Sequence, residues 1–147
     1  QLVDELGLHD QVRFVPPQPH HILSTYYRSA DVVVVPSRSE SFGLVALEAA
    51  ACGIPVVASA VGGLLSLVDH GETGFLVPYG DDRAFADKAL QLLRDPALLA
   101  SQTAAAKKWA ATFSWQRCCD ESLDLFVDVA RRGGRNVYAC SVSISFS

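Results

Sequence analysis

Two glutamates, Glu40 and Glu48, stand eight positions apart in the stretch ESFGLVALEAAACGIPVV, residues 40–57. From Leu44 to Val57, Glu48 is the one charged residue among Leu, Val, Ala, Cys, Gly, Ile and Pro. A carboxylate buried without a partner is costly, so Glu48 needs water, a protein donor or a ligand. Carboxylates accept strongly from adjacent hydroxyls, such as those of a sugar. The polar loop PSRSESFG runs straight into a helix that begins near Leu44. The amides of Phe42, Gly43 and Leu44 at such a helix start lack intrahelical acceptors. They form an anion site suited to a phosphate, and Gly43 lets a ligand approach the backbone closely. Two readings follow. The carboxylates grip different parts of one extended ligand, or Glu48 is a surface-pointing residue on a half-exposed helix. On spacing alone the second, plainer reading stands.

The elements that must position these residues are legible from periodicity. VRFV (12–15) reads as a short strand, and PPQPHH after it as a loop, since Pro-rich segments suit neither helix nor central strand. Residues 22–31 carry apolar positions at helical spacing. VVVV (32–35) is apolar on both faces, as in a covered parallel sheet. A helix over 44–52 ends at Gly53 and Pro55. PVVAS (55–59) and FLVPYG (75–80) read as further strands, joined by the Gly-rich AVGGLLSLVDHGETG. Helices follow over 81–95, from Pro96 to about Phe113, and over 115–132 with Ser114 as cap. Strands alternating with helices imply an α/β fold: a Rossmann-like, doubly wound parallel sheet with strands near 12–15, 32–35, 55–58 and 75–77. Ligands of such sheets bind at the carboxyl ends of the strands. Residues 1–132 form one domain on this reading. Residues 133–147, with the period-2 VSISFS, form a poorly ordered tail.

The 147 residues carry a net charge of −4 with half of them apolar. That is a globular composition, and it argues against a broad nucleic-acid surface. No apolar run is long enough to span a membrane, and no signal peptide is visible at the start. Gln1 is not an initiator methionine. Cys52, Cys118, Cys119 and Cys140 show no zinc spacing. Cys52 reads as core, and the four thiols as reduced, which fits the cytoplasm.

ESFGLVALE resembles the E-x7-E signature of retaining GT-B glycosyltransferases of the family-4 type. The likeness extends through YYRSADVVVVPSRSESFGLVALEAAACGIPVVASAVGGLLSLVDHGETGFLV and covers roughly residues 1–130. It implies a C-terminal, nucleotide-sugar-binding domain, and it reverses the plainer reading of the glutamates. By this resemblance Glu40 contacts the hydroxyls of the donor sugar and positions rather than attacks. Glu48 holds the ribose hydroxyls. The amides of Phe42, Gly43 and Leu44 approach the sugar and diphosphate. The PPQP loop, at Gln18, reads the uracil through its backbone, and Gly62 and Gly63 are near the site or serve as turn glycines.

Within the family the sequence is most similar to the D-inositol 3-phosphate glycosyltransferases. That group transfers N-acetylglucosamine from UDP-GlcNAc in mycothiol synthesis. The donor is thus expected to be a UDP-sugar, and the acceptor an inositol phosphate. A magnesium ion is implied at main-chain oxygens of Tyr27, Arg28, Ala30 and Ile54. The family's Arg–Lys clamp on the diphosphate and its N-terminal acceptor domain have no counterpart in this sequence. The isolated chain is therefore expected to transfer no sugar, and a homodimer is compatible with the sequence. Other members of the family, of sucrose-phosphate or mannosyl-transferring type, are alternatives. So is a non-catalytic nucleotide-sugar-binding module. A flavodoxin-like regulatory domain fits worse, because Asp31 precedes its strand instead of following it. Asp69 and His70 suggest an acid–base pair, or a surface turn. His20, His21, Arg13, Arg38 and RRGGR (131–135) read as solvated charge.

Overall fold

A computed structural model describes residues 1–133 of the chain. Two compact units are present, Gln1–Ala111 and a second that begins at Thr112. The first holds three strands, β1 (Val33–Val35), β2 (Val56–Ser59) and β3 (Gly74–Val77). Its helices are α1 (Leu2–Glu5), α2 (His20–Arg28), α3 (Leu44–Ala51), α4 (Leu64–Leu67), α5 (Asp82–Arg94) and α6 (Pro96–Ala110). The strands pair in the order β1-β2-β3, all parallel, with Val34 opposite Val57 and Val57 opposite Phe75.

Both faces of β2 are covered, as its uninterrupted apolar run requires. Val56 and Ala58 join Val35, Ala46, Ala49, Leu64 and Val68 in a core under α3 and α4. Val57 points the other way and joins Phe75, Val77, Phe85 and Leu92 beneath α5. Alternation along one strand thus fills two cores. A smaller cluster, Ala50, Ala106 and Ala110, packs α3 on α6 through small side chains.

The helix expected over 81–95 is one residue shorter at each end, because Asp81 and Asp95 serve as caps. Asp81 Oδ1 accepts the Ala84 amide at 2.9 Å and opens α5. Asp95 Oδ1 accepts from Ala97 and Leu98, both at 3.0 Å, ahead of Pro96 at the start of α6. In the second unit Ser114 Oγ accepts the Arg117 amide at 3.1 Å and opens α7 (Trp115–Gly133). On α7, Arg117 pairs with Glu121 and Arg132 with Asp128. Arg135, Cys140 and the VSISFS segment lie outside the described residues. Among the described residues no helix is long and apolar enough to cross a membrane.

One expected strand is not formed. Residues 12–15 are irregular and Phe14 is 82% exposed. β-branched residues favour a strand when a pleated, half-buried surface receives them. Here β1 is an edge that pairs with β2 alone, and Pro16 and Pro17 follow at once without donors. The helix expected over 22–31 is displaced toward its N-terminus and occupies His20–Arg28.

Candidate functional site

The loop from Pro36 to Gly43 leaves the carboxyl end of β1 and delivers α3. Gly43 is the N-cap residue at φ 103°, a left-handed conformation that favours glycine. It is also buried: a Cβ there would meet Leu64 Cδ2 at 2.9 Å and Leu67 Cδ1 at 3.1 Å. Ala46 and Leu47 both donate to the Gly43 carbonyl. The amides of Leu44 and Val45 precede this first turn of the ladder and face outward from the helix start. The side chains around them, Phe42, Leu44 and Val45, are exposed.

The connection after β2 packs backbone to backbone on this loop. Gly63 donates to the Glu40 carbonyl at 2.9 Å. A Cβ on Gly62 would lie 1.9 Å from that carbonyl oxygen, and one on Gly63 would lie 2.3 Å from the Phe42 oxygen. These glycines are therefore close-approach positions that fix the Glu40–Phe42 segment. The Glu40 side chain, half-buried, folds toward Gly43: its Cγ lies 3.6 Å from where a Gly43 Cβ would be. Glu40 and the amides that open α3 are thus brought together.

Glu48 lies one turn further along α3 and faces α2. Tyr27 Oη donates to Glu48 Oε2 at 2.8 Å. His20 Nε2 stands 3.9 Å from the other oxygen, Oε1. The Glu48 side chain is 30% exposed and that of His20 is 81% exposed. Burial, then the hydrogen bond and charge of Glu48, then Cys52, push the Tyr27 phenol up to about 12. It therefore stays protonated, a donor, across the physiological range. The lone carboxylate of the apolar run has a protein partner, the Tyr27 hydroxyl.

Other expected residues fall as follows. Gln18 Nε2 turns back to the Pro16 carbonyl at 2.8 Å, so the side chain braces its own loop. Cys52 is half-buried and its thiol points to the Ser24 carbonyl at 3.9 Å. Asp69 and His70 are used in a turn. The Asp69 carbonyl accepts from Glu72 and Thr73, and His70 Nδ1 accepts the Leu76 amide at 3.0 Å. Neither joins Glu40 or Glu48. A cavity of about 400 Å³ beside that turn is lined by Leu65, Ser66, Val68, Asp69, His70, Leu76 and Trp109.

Tyr27, Arg28 and Ala30 sit at the end of α2, and Ile54 just past α3. The Tyr27 carbonyl already accepts the Ala30 amide at 3.0 Å, and the Arg28 guanidinium donates to Ser24 Oγ. Among the described residues no group of three or more His, Cys, Asp or Glu could hold a metal. Magnesium asks for near-octahedral oxygens, normally with carboxylate help. Neutral carbonyls alone do not fit a tightly held divalent ion.

Sequence reasoning missed the Tyr27 side chain, to which it assigned a main-chain oxygen, and His20 as a neighbour of Glu48. The signal for Tyr27 was its place on an amphipathic helix: a buried aromatic hydroxyl needs a polar partner.

A glycosyl transferases group 1 model matches residues 1–109. The chain belongs to this family. This group 1 chain is 46% identical over 136 residues to a D-inositol 3-phosphate glycosyltransferase of Thermobispora bispora, a match covering 92% of the chain and 32% of that relative. It spans about a third of the length of the curated relatives it matches. Among solved structures, the sucrose-phosphate synthase of Thermosynechococcus elongatus superposes with a TM-score of 0.81 at 42% identity, over 89% of this chain and 33% of that one. Anabaena HepE, solved in complex with UDP-glucose, gives 0.70 at 30% identity over 75% and 30%. The parallel sheet and its flanking helices are the Rossmann-like unit of a GT-B glycosyltransferase.

Proposed function

We propose that this domain binds the UDP part of a UDP-sugar, and that the enzyme containing it transfers the sugar to an alcohol with retention at the anomeric carbon. The observation that carries this reading is the arrangement on one helix. Glu40 lies against the start of α3, outward-facing amides follow, and Glu48 presents a half-exposed carboxylate one turn on. In this reading the amides of Phe42, Gly43 and Leu44 stabilise the diphosphate, whose charge grows as the sugar leaves. Glu48 accepts from the ribose hydroxyls, Glu40 orients the sugar, and the Gln18 loop offers its backbone to the uracil. Glu40 does not attack, and no covalent intermediate is required.

The preferred pair is UDP-GlcNAc and 1D-myo-inositol 3-phosphate. It is supported by the kinship with D-inositol 3-phosphate glycosyltransferases. A glucose donor is the second reading, favoured by the superposition on sucrose-phosphate synthase and on the UDP-glucose complex. Competition between UDP-GlcNAc and UDP-glucose for the complete enzyme separates the two.

The binding half of the reading is tested by calorimetric titration of UDP. Glu48→Ala should weaken binding by about 1–3 kcal/mol, the range for charge-assisted hydrogen bonds. Binding of a pyrophosphate ligand without ribose should hardly change. Equal UDP affinity in variant and parent would refute the ribose role.

A further inference from the structure

A carboxylate that grips a diol must present its oxygens in a fixed direction. Glutamate has three rotatable side-chain bonds, and freezing them costs binding energy unless the protein has already done so. Glu48 is already held. Tyr27 Oη donates to Oε2 at 2.8 Å, across 21 positions of sequence. The tyrosine is anchored in turn, because it packs on the core cluster of Val35, Ala46, Ala49, Val56, Ala58, Leu64 and Val68. The partner oxygen, Oε1, lies on the side of the exposed His20, whose Nε2 at 3.9 Å is beyond hydrogen-bond range.

We propose that Tyr27 is a positioning residue for nucleotide recognition: its hydroxyl pins Oε2 of Glu48 and leaves Oε1 turned outward to accept from the ligand's diol. The choice of donor matters. A neutral phenol orients the carboxylate without neutralising it, whereas an Arg or Lys would pair its charge and compete with the ligand. An ionised carboxylate has about four lone-pair sites. Tyr27 takes one of them, so Oε2 keeps a second site and Oε1 keeps both. This inference rests on the ribose role proposed for Glu48.

The test uses the 147-residue chain and three variants, Tyr27→Phe, Glu48→Ala and the double variant. Each is titrated by NMR chemical-shift perturbation with UDP and with the dideoxy analogue of UDP, which lacks both ribose hydroxyls. Tyr27→Phe keeps the ring on the core and removes one hydrogen bond. It should weaken UDP by about three- to ten-fold, less than Glu48→Ala, because the ligand keeps the carboxylate and loses only its orientation. The dideoxy analogue should bind parent and variant alike, and in the Glu48→Ala background Tyr27→Phe should change nothing more. A merely structural role would weaken both nucleotides together, and that result would overturn the proposal. Unchanged UDP affinity in Tyr27→Phe, with a loss in Glu48→Ala, would overturn it while leaving the ribose role intact. No loss in Glu48→Ala, or no response of the parent to UDP, would remove the ribose role and this inference together.

Discussion

Replacing Gly62 with alanine should destabilise the first unit more than any other glycine exchange of the same backbone class. Two costs add. Gly62 sits at φ +48°, where an L side chain is strained, by about 1–2 kcal/mol. The new Cβ would also fall 1.9 Å from the Glu40 carbonyl oxygen and 3.0 Å from its carbon. These are backbone atoms and cannot swing aside, so the overpacking costs about 1–3 kcal/mol more. Gly71 supplies the control. It lies at φ +90° with nothing within 4 Å of an added Cβ. Gly71→Ala therefore carries the strain without the collision. Urea denaturation of parent and both variants, followed by far-ultraviolet circular dichroism, gives the two free-energy losses. Gly62→Ala should lose about 1–3 kcal/mol more than Gly71→Ala, with an unchanged denaturant slope. A difference below about 0.5 kcal/mol, the range of neutral surface exchanges, would refute the close packing of the two loops. Glu40 would then have to be fixed by something other than its backbone contact with Gly62 and Gly63.

Glu40→Gln in the complete enzyme should lower turnover more than UDP affinity, because UDP lacks the sugar that Glu40 is proposed to orient. Steady-state kinetics alongside UDP titration checks this, and a parallel loss in both would count against it. Tyr27 sets a pH dependence. Its folded pKa of about 12 lies above the ordinary value of 10.0, so the protonated phenol is the form that folding stabilises. That contribution is whole below about pH 10 and is lost between there and about pH 12. Over this window the urea midpoint should fall more steeply in the parent than in Tyr27→Phe. Asp95 accepts from two amides at the start of α6, and Asp95→Ala should cost about 1 kcal/mol in the same denaturation assay.

The strands within residues 32–35, 55–59 and 75–80 were legible because β-branched, doubly apolar runs bounded by Pro, Gly or Asp have one good home, a covered parallel sheet. Val12–Val15 carries the same local signal and forms no strand. Whether a run becomes a strand is decided by a partner and by burial, and neither is written in the run itself. Ser114 was readable as a cap because capping is local, within three or four residues, whereas Asp81 and Asp95 were read as the ends of a helix and in fact flank it as caps. The paired glutamates stood out from their spacing, but spacing alone favoured a bland surface role for Glu48. The sequence motif, not the helical geometry, gave the pair its functional reading. The amphipathic helix marks Tyr27 as a hydroxyl in need of a partner, but which partner was out of reach. Its bond to Glu48 joins two helices with a strand between them in the chain, and no periodicity links such positions. For Gly62 and Gly63 the choice between a place near the site and a plain turn stayed open in the sequence, because the carbonyls they approach, those of Glu40 and Phe42, lie about twenty residues back.

The shortness of α3 has a consequence for how the site can vary. Its first outward amide belongs to Leu44 and its carboxylate to Glu48. Four steps along an α-helix advance about 6 Å and turn about 40° beyond one revolution. The helix is therefore a ruler, rigid in both length and angle, between the amides proposed to hold a phosphate and the carboxylate proposed to hold a ribose. One residue inserted or deleted inside it would swing Glu48 by about 100°, off its Tyr27 partner. The loop that carries Glu40 lies ahead of the ruler's zero mark. Gly62 and Gly63 pin its backbone, so under the proposed reading exchange of its side chains, and not of its length, is the route by which a lineage built on this domain could change the sugar it handles while keeping the same nucleotide grip.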